Sequence, residues 1–448
     1  MSTAVLAEWA LSVDELPDEV RRAASRHLLD GVGNAVAAAR LGAGAAGWSV
    51  ATALGGSSEA RPLTGTQPLS APAAAMASAV LVHALDFDDT HAGALVHPTV
   101  VSLPAAFAVG QETGATGAEI LTAFALGLET ACRLGAVSPH GFHARGMHAT
   151  GVVGPLSSAV VAGRLLGLSP SVLVHALGIA GSSSAGLLEF LDSDADTKSL
   201  HPGSAGFNGI LAARLAAAGA GGPASVLEGK RGLYAALSDR PADLAVLTAD
   251  LGTSWESTRI GIKPYPSCQL MHVTLDAVKA AGFSSGEITD IEVFVHPDSR
   301  PIVCGPNAGV AAPRSTYDGK FDLPWSVAAL LHDGAVTVGT YTPESIARHE
   351  VLDTARAVRV TDMTYDGPAA SAPGRALITL SDGSVLEGRV DGSRGSAAFP
   401  LDDAGLREKF LSNCGNHSSA PELADLLLTL DDQPDLTAVL DLAADISR

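Results

Sequence analysis

The sequence predicts a mainly α-helical protein with a large all-helical domain and a smaller α+β domain. Up to Leu251, apolar residues recur at helical spacing between segments rich in Gly, Pro and Ser, and strand-like alternation is almost absent. From Ile288 to Val390, several segments instead alternate polar and apolar residues. Beyond Leu401 the pattern is helical again. We therefore expect both chain ends to build the helical domain.

Gly, Pro or Ser residues mark the ends of the helices predicted for the helical domain. These helices are Leu16–Arg40, Ala71–Leu85, Thr99–Thr113, Ala118–Gly135, Val152–Gly167, Pro170–Gly186, Ser204–Ala218 and Pro241–Leu251. A further short helix is expected after the Gly- and Ala-rich segment that begins at Gly42, and two more near the C-terminus, in DDAGLREKFL and PELADLLLTL.

The α+β domain is predicted from residues 263 to 399, and residues 1–262 and 400–448 form the helical domain. Alternation predicts strands in Ile288–Pro297, Ala355–Tyr365 and Gly374–Val390. The last segment contains Asp382-Gly383, a strong hairpin signal. Helical spacing predicts Gln269–Gly282, Trp325–Gly334 and Pro343–Asp353.

The composition excludes several classes of function. The 448 residues carry a formal net charge of −20, which argues against nucleic acid or an anionic membrane as the partner. An anionic substrate would therefore need a locally positive pocket. The four cysteines are widely spaced and form no metal-ligand pattern, which indicates reduced thiols. We find no signal peptide and read the longest uncharged runs as buried helices, so a cytoplasmic location is expected.

One segment, VHALDFDDTHAGALVHPTV (Val82–Val100), concentrates charged and polar groups inside apolar flanks. Buried charges require partners, so such density indicates a functional site. If Asp86 begins a helical turn, Asp89 and Thr90 share its face. His97 precedes Pro98, and this pair favours a helix that starts there.

Four further stretches share this polar character and suit proton transfer beside a carboxylate. Lys198 and Lys263 are candidate cations for substrate carboxylates, and Asp86, His97 and His148 are candidate acid or base groups. An enolate-like intermediate needs such a base, an acid and nearby positive charge. Additional hydrogen bonds are expected from Thr90, Tyr265 and Ser267. The sequence contains no P-loop, no GxGxxG between strand and helix and no GxSxG elbow.

Other interpretations of the acidic cluster compete with this one. Asp86, Asp88, Asp89 and His91 could together hold Mg²⁺, as in an aspartate-rich cyclase motif. Such a motif would place an acid where Ala92 stands, and the aromatic content of 4% fits a carbocation pocket poorly. We therefore predict neither a metal nor another cofactor. Asp88 and Asp89 are expected to hold the turn, while His83 and His91 are expected to be core residues.

The chain resembles the MmgE/PrpD family of 2-methylcitrate dehydratases, cis-aconitate decarboxylases and an iminodisuccinate epimerase. HALDFDDTHAGALVHP, RGMHATGVVGPLSSAVVAGRLLGL, the segment that begins TKSLHPGSAGF, and KPYPSCQLMHVTLDA carry this resemblance, which runs over nearly the whole length. It implies a helical domain from both chain ends, an α+β lid domain, a homodimer, and no metal or organic cofactor.

The resemblance also implies site residues. The family's active-site positions fall on Asp86, Thr90, His97, His148, Lys198 and Lys263. The residues expected to bind substrate are His201, Tyr265, Ser267, Cys268, His272 and Trp325. Trp325 aligns with a tyrosine that lines the decarboxylase pocket. The Thr90–His97 spacing is one residue longer than in the decarboxylase, and KPYPSC is similar to a broad bacterial branch.

These residues predict a cofactor-independent lyase that acts on a small di- or tricarboxylate. A dehydratase of the 2-methylcitrate type is the leading prediction. A cis-aconitate-type decarboxylase or a carboxylate isomerase or epimerase is the alternative, because each gives the same carbanion a different fate. A non-catalytic carboxylate-binding protein is the alternative of another class.

Overall fold

The computed structural model describes residues 1–193, 195–282, 288–305, 308–367 and 369–448. The chain forms two compact units. The first unit comprises Met1–Ala84, Asp88–Gly261 and Asp402–Arg448, and the second comprises Leu85–Phe87 and Ile262–Leu401. Three residues of the LDFDDT motif thus belong to the second unit while their neighbours on both sides belong to the first. The sequence analysis did not predict this division of the motif.

Among the residues described, the regular secondary structure of the first unit is helical, apart from isolated β-bridges. Its α-helices are Ser2–Ser12, Asp18–Leu41, Ala45–Leu54, Ala71–His83, Thr99–Thr113, Gly117–Ala136, Gly141–Ala144, Ala149–Leu165, Pro170–Gly181, His201–Ala217, Leu233–Leu237, Ala245–Thr248, Asp403–Asn413, Ala420–Leu428 and Thr437–Ile446. Short 3₁₀ helices span Leu188–Asp192, Thr197–Leu200, Glu256–Arg259 and Leu430–Asp432. Helices predicted from periodicity are found within a few residues of their expected ends, because Gly and Pro mark those ends.

The predicted helix Pro241–Leu251 is wrong in extent, because only Ala245–Thr248 is helical. The buried Arg133 guanidinium explains the difference. It donates to the carbonyl oxygens of Ala249 (2.7 Å) and Ser254 (2.7 Å), and so satisfies acceptors that a longer helix would have used internally. A charge-assisted contact from a distant residue has no local sequence signal.

Small residues allow the central helices of the first unit to approach closely. Helix His201–Ala217 packs mainly against Ala149–Leu165 and Ala71–His83. A Cβ at Gly209 would lie 2.5 Å from the Pro155 carbonyl oxygen, so no larger residue fits there. This contact explains why an Ala- and Gly-rich sequence with few aromatic residues can still fill its core.

The second unit is an α+β structure around one four-stranded sheet. The strands β1 (Ile288–Val295), β2 (Val358–Asp362), β3 (Gly374–Leu380) and β4 (Val385–Val390) lie in the order β2-β1-β3-β4. β1 pairs parallel with β2 and antiparallel with β3, and β3 and β4 form the predicted hairpin. The mainly helical character with a smaller α+β part is therefore confirmed.

The helices of the second unit cover one buried core. Its α-helices are Gln269–Ala281, Arg300–Val303, Leu323–Asp333, Pro343–Ile346 and His349–Ala355, and its 3₁₀ helices are Asp318–Phe321, Val338–Tyr341 and Ala369–Ser371. The predicted helix Pro343–Asp353 is thus interrupted. Within the described ranges of both units, the structure contains no helix of the length and apolarity that a membrane crossing requires.

Candidate active site

Four buried or half-buried histidines of the first unit lie at the ends of its central helices. His83 is the last residue of Ala71–His83, His97 lies two residues before Thr99–Thr113, and His148 caps Ala149–Leu165. His201 begins the helix that packs against these. The centre of the His83 ring is 4.9 Å from that of His97 and 5.9 Å from that of His148. Helix packing therefore gathers imidazoles that are far apart in sequence.

The LDFDDT motif forms a turn, so the predicted helical arrangement from Asp86 is wrong. Asp86 has φ of +52°, a left-handed conformation that ends rather than starts a helical run. Thr90 instead makes a two-way backbone bridge with Gly261, with both N–H···O distances at 2.9 Å. The turn is thus held by its backbone, and adjacent aspartates point to different partners.

The carboxylates of Asp88 and Asp89 both contact buried polar groups of the first unit. The Asp88 Oδ2 accepts from His83 Nδ1 at 2.8 Å and lies 3.6 Å from His97 Nδ1. Asp89 accepts from the Thr99 backbone N–H and hydroxyl, and its Oδ2 is 2.8 Å from His27 Nδ1. Asp89 therefore caps a helix, as its predicted structural role requires, whereas Asp88 contacts the histidine cluster.

The orientation of His97 is fixed by its own turn. Its Nδ1 lies 2.8 Å from the Asp89 carbonyl oxygen and 3.2 Å from Thr90 Oγ1. Because a carbonyl oxygen can only accept, Nδ1 carries the hydrogen, and in the neutral ring Nε2 carries the lone pair. Thr90 is therefore a neighbour of His97, and the helix predicted to start after His97–Pro98 is confirmed.

His148 is held between the Gly186 carbonyl and the His201 ring. Its backbone N–H donates to Gly186 O at 2.9 Å, and its Nδ1 is 3.1 Å from His201 Nδ1. Gly186 has φ of +120°, which a side chain would strain. Burial, with the positive charge of Lys198 second, lowers the pKa of His148 well below its usual value. His148 is therefore a neutral imidazole at neutral pH.

Lys198 places a buried cation in the same unit. It lies on the 3₁₀ helix Thr197–Leu200 and is 8% exposed. Burial and the charges of His83 and Lys198 lower the pKa of His201 to about 4. A cavity of about 260 Å³ opens beside His201, lined by side chains that include Ser183, Thr197, Ser204 and Asn208. The first unit thus combines neutral imidazoles with a fixed positive charge.

Lys263 and Asp86 form a buried ion pair inside the second unit. The Lys263 Nζ lies 3.1 Å from Asp86 Oδ1 and 2.8 Å from the Asp86 carbonyl oxygen. Lys320 makes a parallel contact, since its Nζ donates to the Leu85 carbonyl oxygen at 2.7 Å. Two buried ammonium groups thus bind the short segment Leu85–Phe87, so the second unit also carries concentrated positive charge.

The residues predicted to bind substrate from the second unit lie around one helix and its core. His272 and Ser267 are buried and joined by a hydrogen bond of 3.1 Å from His272 Nε2 to the Ser267 carbonyl oxygen. The Tyr265 hydroxyl donates to Asp276 at 2.8 Å, and burial, together with that carboxylate, raises the pKa of Tyr265. Cys268 is half-buried. Their contact with substrate stays a prediction.

Trp325 lies in the hydrophobic core of the second unit. It is fully buried, and its ring centre is 5.8 Å from that of Tyr341, which also carries the Lys320 ammonium over its face at 4.7 Å. Its role at a pocket wall stays a prediction, and its observed role is packing.

Sequence reasoning missed His83, which it took for a core residue, and Lys320. His83 stands two residues before the LDFDDT motif in a run without charged residues. A buried polar ring in such a run needs a partner, and Asp88 is five residues on, so this pairing was the available signal. No comparable signal marks Lys320, because its acceptor at Leu85 is a backbone carbonyl distant in sequence.

The first unit thus holds a cluster of buried histidines and the buried Lys198. The second unit holds the buried Lys263 and Lys320. Imidazoles can transfer protons and ammonium groups can bind carboxylates. The sequence profile of the MmgE/PrpD N-terminal domain matches residues 4–244, and that of the MmgE/PrpD C-terminal domain matches residues 265–431. The chain belongs to the MmgE/PrpD family, and the predicted resemblance is confirmed.

Several curated proteins are similar to this chain over most of its length. A cis-aconitate decarboxylase of Aspergillus terreus is 27% identical, and the alignment covers 98% of this chain and 95% of that protein. The cis-aconitate decarboxylases of Mus musculus and Homo sapiens are each 28% identical, covering 81% of this chain and 76% of theirs. Decarboxylases are lyases, so the prediction of an enzyme of the lyase class is confirmed.

Proposed function

We propose that this protein is a lyase of small di- or tricarboxylates that removes CO₂ from a substrate of the cis-aconitate type. The observation that carries the proposal is the set of buried imidazoles of His97 and His148 in one unit with the Lys198 cation. The similarity to cis-aconitate decarboxylases at 27% and 28% identity supports the choice of reaction. This choice replaces dehydration as the leading prediction.

The reaction requires a proton and a cation. When the bond to one carboxylate breaks, CO₂ leaves and the electron pair stays on the carbon skeleton, delocalised toward a remaining carboxylate. That carbanion takes one proton, so a trianion plus one proton gives CO₂ and a dianion. A Lys198 ammonium at the remaining carboxylate stabilises the developing charge. A protonated imidazole, His97 in our proposal, supplies the proton.

Water elimination of the 2-methylcitrate type is the second candidate, and one observation favours it. Dehydration needs a base to remove a carbon-bound proton as well as an acid to protonate the departing hydroxyl. His148 is a buried neutral imidazole, because burial lowers its pKa, and it can therefore accept a proton near neutral pH. The same cluster thus has the parts for a base and an acid.

Lys263 and Asp86 are proposed to serve the same reaction, as the family resemblance implies. The carboxylate of Asp86 already neutralises Lys263 in part, so we propose that the pair exchanges partners when a substrate carboxylate binds Lys263. A lid function of the second unit and a homodimer are also proposed from the resemblance.

Proton NMR of the reaction in D₂O tests the proposal. The purified chain is incubated separately with cis-aconitate and with 2-methylcitrate, and His148→Ala, refolded in parallel, is the matched control. Decarboxylation predicts loss of the tricarboxylate signals, a product one carbon shorter, and one deuterium at the newly protonated carbon. Dehydration of 2-methylcitrate predicts that the methyl doublet becomes the singlet of a methyl group on a double bond, without loss of carbon. Turnover of neither acid, with binding detected by thermal stabilisation, would favour a non-catalytic carboxylate-binding protein instead.

A further inference from the structure

Three histidines of the first unit come close enough to share one ligand. One ring nitrogen each from His83, His97 and His148 lies within 4.8 Å of one from both others. The three rings are buried, with exposed fractions of 1%, 8% and 2%. Among the residues that the structure describes, this is the group of histidine, cysteine and acidic side chains with such convergence.

In each of these rings the Nδ1 atom already has a hydrogen-bond partner. His83 Nδ1 pairs with Asp88 Oδ2 at 2.8 Å, and His97 Nδ1 pairs with the Asp89 carbonyl oxygen at 2.8 Å. His148 Nδ1 lies 3.1 Å from His201 Nδ1. A carboxylate or carbonyl behind an imidazole fixes the tautomer in which the opposite nitrogen is the metal ligand. His83 and His97 therefore have the support found behind metal-bound histidines, whereas His148 is supported by a second imidazole.

The opposite nitrogens of two of these rings lack a partner. His83 Nε2 and His148 Nε2 are buried and accept or donate no hydrogen bond within the described part of the chain. An unpaired buried nitrogen is costly, by about 1–3 kcal/mol each. The proposed acid–base chemistry gives His148 a role but leaves His83 without one. A ligand that takes both lone pairs would remove this cost.

We propose that His83, His97 and His148 form a binding site for one divalent transition-metal ion of the Zn²⁺ class. Three imidazoles leave the fourth tetrahedral position open. Zn–N bonds of about 2.0–2.1 Å place ligand nitrogens about 3.3 Å apart, so nitrogens that now lie within 4.8 Å of one another must approach by at most about 1.5 Å. Neutral imidazoles suit Zn²⁺, Cu²⁺ and Ni²⁺, whereas Mg²⁺ and Ca²⁺ prefer oxygen ligands.

The proposed cation inhibits the enzyme and is not its cofactor. It occupies the lone pairs of His97 and His148, which the proposed decarboxylation or dehydration needs for proton transfer. The inhibition, but not the binding itself, rests on the proposed function. Zn²⁺ should therefore stop turnover at one ion per chain, and a chelator should restore it.

Calorimetric titration of the metal-free full-length chain with Zn²⁺ alone tests the binding. We expect one site per chain, and affinity at least about 10-fold weaker in His83→Gln. Asp88→Asn, which removes the support behind His83, should weaken binding by about 10–100-fold. His349→Gln, at an exposed histidine of the second unit, is the matched control and should bind Zn²⁺ as the wild type does.

Absorption-edge spectroscopy of the Zn²⁺-loaded wild type needs no variant to fold. It should show imidazole nitrogen neighbours at about 2.0 Å. An oxygen-only shell, no saturable binding, or equal loss of binding in His83→Gln and His349→Gln would overturn the proposal. No carboxylate is present in these measurements, so an inactive enzyme that binds Zn²⁺ contradicts the proposed function alone. Likewise, an active enzyme that does not bind Zn²⁺ contradicts this inference alone.

Discussion

Lys263 binds Asp86 twice, through the carboxylate at 3.1 Å and through the backbone carbonyl at 2.8 Å. The carbonyl contact depends on the left-handed backbone of Asp86, with φ of +52°. One ammonium group therefore fixes both the charge and the conformation of the motif. The two residues were predicted as separate contributors to catalysis, whereas the structure makes them a pair.

Removal of the Lys263 ammonium should destabilise the fold. Lys263→Met leaves the buried Asp86 carboxylate and carbonyl without this donor, and loss of one partner of a buried pair costs about 3–5 kcal/mol. Urea unfolding measures the change in the free energy of unfolding.

Asp86→Asn in the Lys263→Met background should recover part of the lost stability. Arg145→Met is the control, because Arg145 forms an exposed pair with Asp239, and it should cost at most about 1 kcal/mol. Equal losses at both sites would contradict the pairing.

Removal of the imidazole at position 97 or 148 should reduce turnover. His97→Ala and His148→Ala each remove a proposed proton-transfer group, and such groups contribute about 10²–10⁴-fold. Steady-state kinetics on the substrate that the NMR assay selects measures the change, with circular dichroism to verify folding. His349→Ala is the control. Wild-type rates in both variants would show that the histidine cluster is not the catalytic site.

Asp89 should matter for stability and not for chemistry. Asp89→Ala removes the cap of helix Thr99–Thr113 and the buried partner of His27, so the free energy of unfolding should fall by about 3 kcal/mol. The turnover number of the folded fraction should stay within about two-fold, because His97 bonds the backbone of Asp89 and not its carboxylate. A large loss of turnover with unchanged stability would instead assign Asp89 a direct role in the reaction.

Protonation of His201 in acid should lower the free energy of unfolding. Burial lowers its pKa from 6.5 to about 4, so between these values the unfolded chain binds more protons than the folded one. The free energy of unfolding therefore rises with pH over this range. The stability that neutral His201 contributes is lost as the pH falls from about 6.5 to 4. Asp30, whose pKa burial raises to about 6, has the opposite sign.

The matched variant isolates the His201 contribution. Urea unfolding of the wild type and of His201→Gln at about pH 7 and about pH 5 gives the difference in slope, in which Asp30 and the other groups cancel. The wild type should lose more stability over this interval than the variant. An identical or smaller loss in the wild type would contradict the lowered pKa.

Most of the fold prediction came from helical periodicity and from the Gly and Pro residues at helix ends. Thr99–Thr113 was predicted to the residue because Pro98 and Gly114 bound it. The turn at Asp86 was not predicted, because its positive φ is stabilised by the distant Lys263, and the end of the turn at Thr90 is held by Gly261. Asp88 was predicted to cap or salt-bridge the turn, but its partner His83 was not identified, because His83 precedes the motif. Polar density thus marked a segment whose charged groups are buried and paired, but only tertiary contacts assigned the partners.

The placement of Leu85–Phe87 has a consequence for anyone who wishes to dissect the molecule. A gene fragment for residues 262–401 alone would omit these three residues, and with them both acceptors at Asp86 for Lys263 and the Leu85 acceptor for Lys320. Lys320 would keep its hydrogen bond to the Pro266 carbonyl oxygen, whereas loss of the ion-pair partner of the buried Lys263 ammonium should cost about 3–5 kcal/mol. We therefore expect residues 262–401 to be less stable alone than when the tripeptide is supplied, for example by a circular permutation that retains it.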